Sequence, residues 1–271
     1  MNVRAYLDRI GYHGDTTPTL PTLNAIHQAH LMAIPYENLN IHLGRYLPVE
    51  PSAALEKIVT QRRGGWCYEM NGVMAWALCE LGYPVTLLAS CVGGEGNERN
   101  HLILRVDLDR PYLVDVGFGN GLLRPIPLEP GQYQQHGFEY ALENVGDRWI
   151  FTNQPYGASS FEFSLEPHQI HDFVDRCHWL QTSPESRFVQ IVVSYRFNQA
   201  GYVGLHGAVL KHVTAEGKHE AIIEDETAYR RVLEEQFDLH LTEGEITALW
   251  QIVWQKHQHF LEQQRQQKTS G

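Results

Sequence analysis

The chain has 271 residues, 43% of them hydrophobic, enough for one large domain or two to three small ones with a packed core. A formal net charge of −11 excludes a phosphate backbone or an anionic membrane as the main partner, so neither nucleic acid nor membrane binding is expected. No apolar run reaches the ~18 residues of a membrane span, and the first ten residues carry charges where a signal peptide would be apolar.

Residues 1–82 read as helical. Asn2 is placed to cap a first helix with Val3, Tyr6, Leu7 and Ile10 on one face. Thr22 is the expected cap of a second, ended by Pro35, and Ile34–Leu39 must then leave the helix because residues before proline avoid the α region. Ser52 opens a third. The fourth begins at Cys67: Met70, Val73, Met74, Ala77, Leu78 and Leu81 follow helical spacing, and Gly82 ends the run.

After Gly82 the period becomes two. The spans 84–92, 101–108, 112–118, 138–143, 149–152, 161–165 and 190–197 read as strands of an antiparallel sheet or barrel. Residues 93–98 form a turn-rich loop that lacks the spacing of a dinucleotide fingerprint. A short helix at 169–180 interrupts the strands, further strands follow near 202–213 and 220–223, and helices at 227–237 and from Thr242 close the chain. Thr242 and Glu245 form a capping box.

The four cysteines, Cys67, Cys79, Cys91 and Cys177, have no Cys-x-x-Cys spacing, so neither a zinc site nor a disulfide framework is expected and the thiols read as free, in a cytoplasmic protein. Cys67 stands apart because it follows Gly64 and Gly65 at a helix start, where unpaired N–H groups favour a thiolate. The alternative reading is a buried structural cysteine. Asp115 lies inside the apolar run 112–118, where an unpaired carboxylate is costly. His101 opens the preceding strand, and a hairpin centred near residue 108 brings His101 and Asp115 level or onto a diagonal. Asp beside His fixes the imidazole's tautomer and raises its basicity, so with a thiol these are the parts of a Cys-His-Asp triad.

The chain resembles the arylamine N-acetyltransferase family. The matching pieces, in order, are Ile34–Leu39 (Ile-Pro-Tyr-Glu-Asn-Leu), Arg63–Cys67 (Arg-Gly-Gly-Trp-Cys), His101–Leu104, Val114–Gly119 (Val-Asp-Val-Gly-Phe-Gly) and Thr182–Phe188, and together they cover about residues 1–190. The resemblance implies an α+β fold: a helical bundle (1–82) carrying the nucleophile, a central antiparallel β-barrel (83–190) carrying His and Asp, and an α/β lid (191–271) with a C-terminal helix. It implies Cys67 as acyl acceptor, His101 as base and Asp115 as orienting carboxylate, with Glu37 and Arg63 as a supporting ion pair. Tyr36, Tyr68, Phe118 and Phe188 fall where the family lines its acceptor pocket; Tyr36 departs from the phenylalanine more usual there. Gly119 and Asn97 are the residues assigned to coenzyme A.

The activity so implied is a two-step acetylation of arylamines, arylhydrazines or arylhydroxylamines, with acetyl-CoA as co-substrate, no tightly bound cofactor and no metal, by a monomer or homodimer. Rival readings keep the triad but change the reaction, to a cysteine hydrolase, a transglutaminase-like enzyme or an amide synthase with another acyl donor. A non-catalytic binder of amines or coenzyme A has no need of all three residues.

Overall fold

The structure is a computed structural model that describes residues 2–94, 96–157 and 160–269, with side chains to residue 266. Asn2 caps the first helix, Val3–Arg9, by accepting from the Arg4 N–H at 2.9 Å. The second helix, Leu20–Ala33, is capped by Thr19 rather than Thr22: Pro21 is tolerated in the first turn, so the helix starts one turn earlier. A short helix, Leu39–His42, follows, and Pro51 opens the next, Pro51–Leu55, leaving Ser52, the expected start, inside it. That helix continues into a widened turn, Glu56–Thr60, closed by a bond from the Gln61 N–H to the Glu56 carbonyl. The helix Cys67–Glu80 runs through the middle of this bundle, with eleven of its fourteen residues buried.

Eight antiparallel strands form a nearly closed barrel. Their spatial order is Ile126–Pro127, Pro111–Val114, His101–Asp107, Val85–Val92, Phe161–His168, Arg148–Thr152, Phe138–Val145 and Gly131–Gln135. Side chains bridge the seam between the two end strands: Tyr133 donates to the Pro127 carbonyl, and the Gln135 amide holds the backbone of Leu123 and Arg124.

A second sheet has five strands in the order Tyr36–Glu37, Val193–Phe197, Gly201–His206, Val209–Thr214 and Gly217–Ile222. The expected strand 202–213 is thus a hairpin, turned at Gly207 with φ +59°. Its edge strand comes from the helical part of the chain: Tyr36 pairs with Tyr195 and Glu37 with Ser194. The helices Glu226–Phe237 and Glu243–Thr269 cover this sheet through Tyr229, Leu233, Phe237 and Leu249, and Leu39 joins the same core. The rest of the bundle shares one continuous core with the barrel. Among the described residues no helix is long and apolar enough to cross a membrane.

Candidate active site

The Arg63–Cys67 segment is fixed before the helix begins. The Gly65 N–H donates to the Pro35 carbonyl, and the Glu37 N–H donates to the Gly65 carbonyl. A Cβ on Gly64 would collide with that Pro35 carbonyl, so only glycine lets the two segments lie side by side. Glu69 reaches back to the Trp66 N–H at 3.2 Å and starts the helix at Cys67.

Beneath this start lies a buried charge cluster. Arg63 Nη2 is 3.0 Å from Glu37 Oε1, the ion pair expected from the sequence. Lys57, carried on the widened turn, adds a second cation, 3.5 Å from Glu37 and 2.7 Å from Glu69. Burial works to raise the Glu37 carboxyl, but Lys57, Arg63 and the Leu39 N–H outweigh it and hold it at about 2. Glu69 goes the other way: burial and the Glu37 charge raise it despite Lys57.

His101 and Asp115 meet across the hairpin. The strands pair Leu104 with Val114 and Asp107 with Pro111, so the turn is centred at 109 and the two residues sit on a diagonal. The regular strand ends at Val114, and Asp115 turns inward, its Oδ2 2.8 Å from His101 Nε2. The other oxygen accepts from the Gly117 N–H at 2.8 Å and from Asn71 Nδ2 at 2.8 Å. An ionised carboxylate so placed takes the Nε2–H and leaves Nδ1 as the imidazole's basic nitrogen. The ring is held between Phe118 and Phe161, with centroids 5.0 and 5.4 Å away.

Cys67 comes to the same place. Its Sγ lies 3.9 Å from the carbonyl oxygen of Asn100, the residue just before His101. A Cβ on Gly117 would stand 2.8 Å from Cys67 Cα, 2.9 Å from its carbonyl and 2.6 Å from Asn71 Nδ2, so the Asp115 loop rests directly on the helix start. Gly117→Ala is expected to cost about 1–3 kcal/mol in stability. By pushing Asp115 away from the helix it should also cut turnover by about 10²-fold. Urea unfolding and steady-state rates check both, and a variant with wild-type values would show that the loop has room to move.

The helix start alone does not make Cys67 a thiolate. Burial pushes the thiol well above its ordinary value, Cys177 and Asp115 add to that, and the backbone N–H groups of Tyr68 and Leu102 offset it only in part. Activation of the sulfur therefore depends on a base beside it and not on the helix start alone.

Asn71 is the polar residue that the sequence reading passed over. One turn beyond Cys67 and fully buried, it donates to Asp115 and to the Leu102 carbonyl (2.6 Å) and accepts from the Val116 N–H (2.9 Å). Its signal was present: an amide at i+4 from the cysteine, on a helix otherwise apolar on that side. Asn100 was also missed. Its side chain makes two 2.8 Å bonds to the Val92 backbone and so sets the start of the His101 strand.

The expected pocket residues divide. Phe118 is half-buried against His101, and Phe188 meets Trp66 edge-on at 5.1 Å. Tyr36 stands beside Tyr195, their rings 6.1 Å apart. Tyr68 has no exposed surface, and its hydroxyl donates to the Arg99 carbonyl at 2.6 Å, so it props the loop before His101. Gly119, at φ +78°, lies between the Tyr36 and Tyr195 rings, and Asn97 accepts from Arg176 at 2.6 Å.

A buried thiol, a carboxylate-held imidazole and an aromatic surround, shared between a helical bundle and a β-barrel, define an acyl-transfer class of site. The profile of a family described as N-acetyltransferase matches residues 19–246. A pineal gland isozyme of arylamine N-acetyltransferase from Gallus gallus is 36% identical over 219 residues, covering 70% of this chain and 75% of that protein. Arylamine N-acetyltransferase 1 of Homo sapiens is 33% identical over 218 residues, covering 69% and 75%. The structure of the Mycobacterium marinum arylamine N-acetyltransferase in complex with CoA superimposes with a TM-score of 0.86 at 30% identity, covering 93% of this chain and 99% of that one. The chain belongs to the arylamine N-acetyltransferase family and is an acyltransferase.

Proposed function

We propose that the protein acetylates arylamines, arylhydrazines or arylhydroxylamines with acetyl-CoA, in two steps through an acetyl thioester on Cys67. The observation that carries this is the 2.8 Å His101–Asp115 bond at the strand whose preceding carbonyl touches the Cys67 sulfur. In the first step sulfur bonds to the acetyl carbonyl carbon and its proton passes to His101 Nδ1. The bond to the coenzyme A sulfur then breaks, and that thiolate leaves with the proton. In the second step the amine nitrogen bonds to the same carbon and gives one proton to His101, the carbon–sulfur bond to Cys67 breaks, and the leaving sulfur shares the proton on His101 as it did at the start. His101, held by Asp115, takes the Cys67 proton and keeps the sulfur as a thiolate or close to it. The Tyr68 and Leu102 N–H groups are the donors at hand for the oxyanion.

Coenzyme A enters this reading as a co-substrate, with Asn97 and Gly119 as its proposed contacts. Phe118, Phe188 and Tyr36 face the acceptor. The three catalytic groups come from one chain, so a monomer is sufficient and a homodimer is compatible. Four free thiols fit a cytoplasmic setting. Mass spectrometry of the intact protein after brief exposure to acetyl-CoA tests the proposal. One acetyl group on the Cys67 peptide, discharged by an arylamine, is the expected result, and an unmodified Cys67 would overturn it.

A further inference from the structure

Tyr36, on the edge strand, and Tyr195, on the strand beside it, are antiparallel partners, so their side chains share one face of the second sheet. Two glycines clear the space for them. A Cβ on Gly119 would come within 3.0 Å of the Tyr195 ring and 3.2 Å of the Tyr36 ring. A Cβ on Gly204, opposite Tyr195 on its other side, would come within 2.8 Å of that ring. The pair also belongs to the reacting centre. Pro35 and Glu37, on either side of Tyr36, are bonded to Gly65, two residues before Cys67, and Gly119 follows the Phe118 that flanks His101.

A third tyrosine in this group, Tyr202, has its hydroxyl committed to the Tyr156 carbonyl at 2.7 Å and to Gln154 at 3.3 Å. Tyr36 and Tyr195 differ from it. No hydrogen bond joins either hydroxyl to the described residues, and neither oxygen is among the buried polar atoms left without a partner, so both stay open to solvent or to a ligand. Each hydroxyl both donates and accepts, so an acceptor that covers it must replace the water bonds it loses.

We propose that Tyr36 and Tyr195 select, among aromatic amine acceptors, those carrying a ring hydroxyl, which the two phenols bind while the amine faces acetyl-Cys67. This rests on the acetyl-Cys67 reading. A methyl in place of that hydroxyl fills the same volume but leaves both phenols unpaired, and polar groups stranded in that way are what make a hydrogen-bonding site reject the apolar isostere.

The test lets 4-aminophenol and p-toluidine compete for the same acetyl-enzyme. The ratio of the two acetylated products depends only on the second step, so changes in acylation rate cancel. Comparing variants with wild type cancels the two amines' intrinsic reactivities. Tyr36→Phe and Tyr195→Phe keep the rings and remove only the unpartnered hydroxyls. The hydroxylated-to-methylated product ratio is expected to fall about tenfold in at least one single variant and further in the double variant. A ratio within about twofold of wild type in all three overturns the proposal. The Cys67 acetyl adduct, measured on the same samples, separates the two readings: an adduct with an unmoved ratio sinks this inference alone, and no adduct sinks the reaction beneath it as well.

Discussion

Cys67→Ala is expected to lower acetyl transfer from acetyl-CoA to an arylamine by at least about 10⁴-fold, because every step of the exchange passes through one sulfur. Stability should stay within about 1 kcal/mol, since the sulfur's contact to the Asn100 carbonyl is a long 3.9 Å one, the N–H groups of Tyr68 and Leu102 bond it only weakly, and its neighbours already enclose the site. The buried thiol that could stand in is Cys177, whose charge is felt at Cys67. Burial and the Glu69 charge push that thiol up to about 12, and it is engaged with the Leu47 carbonyl and Gln181, so it offers almost no thiolate. Release of coenzyme A thiol in the presence of an arylamine reads the activity, and urea unfolding reads the fold. Turnover within tenfold of wild type from a folded variant would remove Cys67 from the mechanism.

The three residues proposed as the triad were legible because each broke a local pattern. His101 and Asp115 are polar residues in otherwise apolar strands, and Cys67 follows a glycine pair at a helix start. The hairpin centre lies at 109, one residue beyond the expected neighbourhood of 108, and of the two expected placements of His101 and Asp115, level or diagonal, the diagonal one is found. What stayed hidden depends on distant partners. The Tyr36–Glu37 strand pairs with residues 194 and 195, and nothing in a two-residue segment announces that ladder. The strand Gly131–Gln135 is glutamine-rich and reads as loop; Gln135 is buried because it satisfies the backbone at 123 and 124 across the seam. Lys57 looks like an ordinary exposed lysine on a helix, and only the fold turns it toward two carboxylates.

Lys57→Met follows from that last point and carries the largest stability change we expect. Lys57, Arg63, Glu37 and Glu69 balance two charges against two in a volume closed to solvent. Removing the ammonium leaves Glu37 with Arg63 and Glu69 with only the Trp66 N–H. Stranding one partner of a buried pair costs about 3–5 kcal/mol. The pH dependence separates this cause from lost packing. Glu69 is already raised in the fold, and losing Lys57 raises it further. Between the unfolded carboxyl's value and that raised value, the folded state holds more protons than the unfolded chain, so stability falls as pH rises. Glu37, depressed to about 2, has the opposite sign: its contribution is full above the unfolded value and is lost only as pH falls towards 2, below the working range. The deficit of Lys57→Met relative to wild type should therefore be largest at pH 7.5 and shrink towards pH 5, and adding Glu69→Gln should remove much of it at pH 7.5. Urea unfolding of both variants at the two pH values measures this. An equal deficit at both pH values, unrelieved by Glu69→Gln, would mean that Lys57 holds the helix start through its carbon chain and not through its charge.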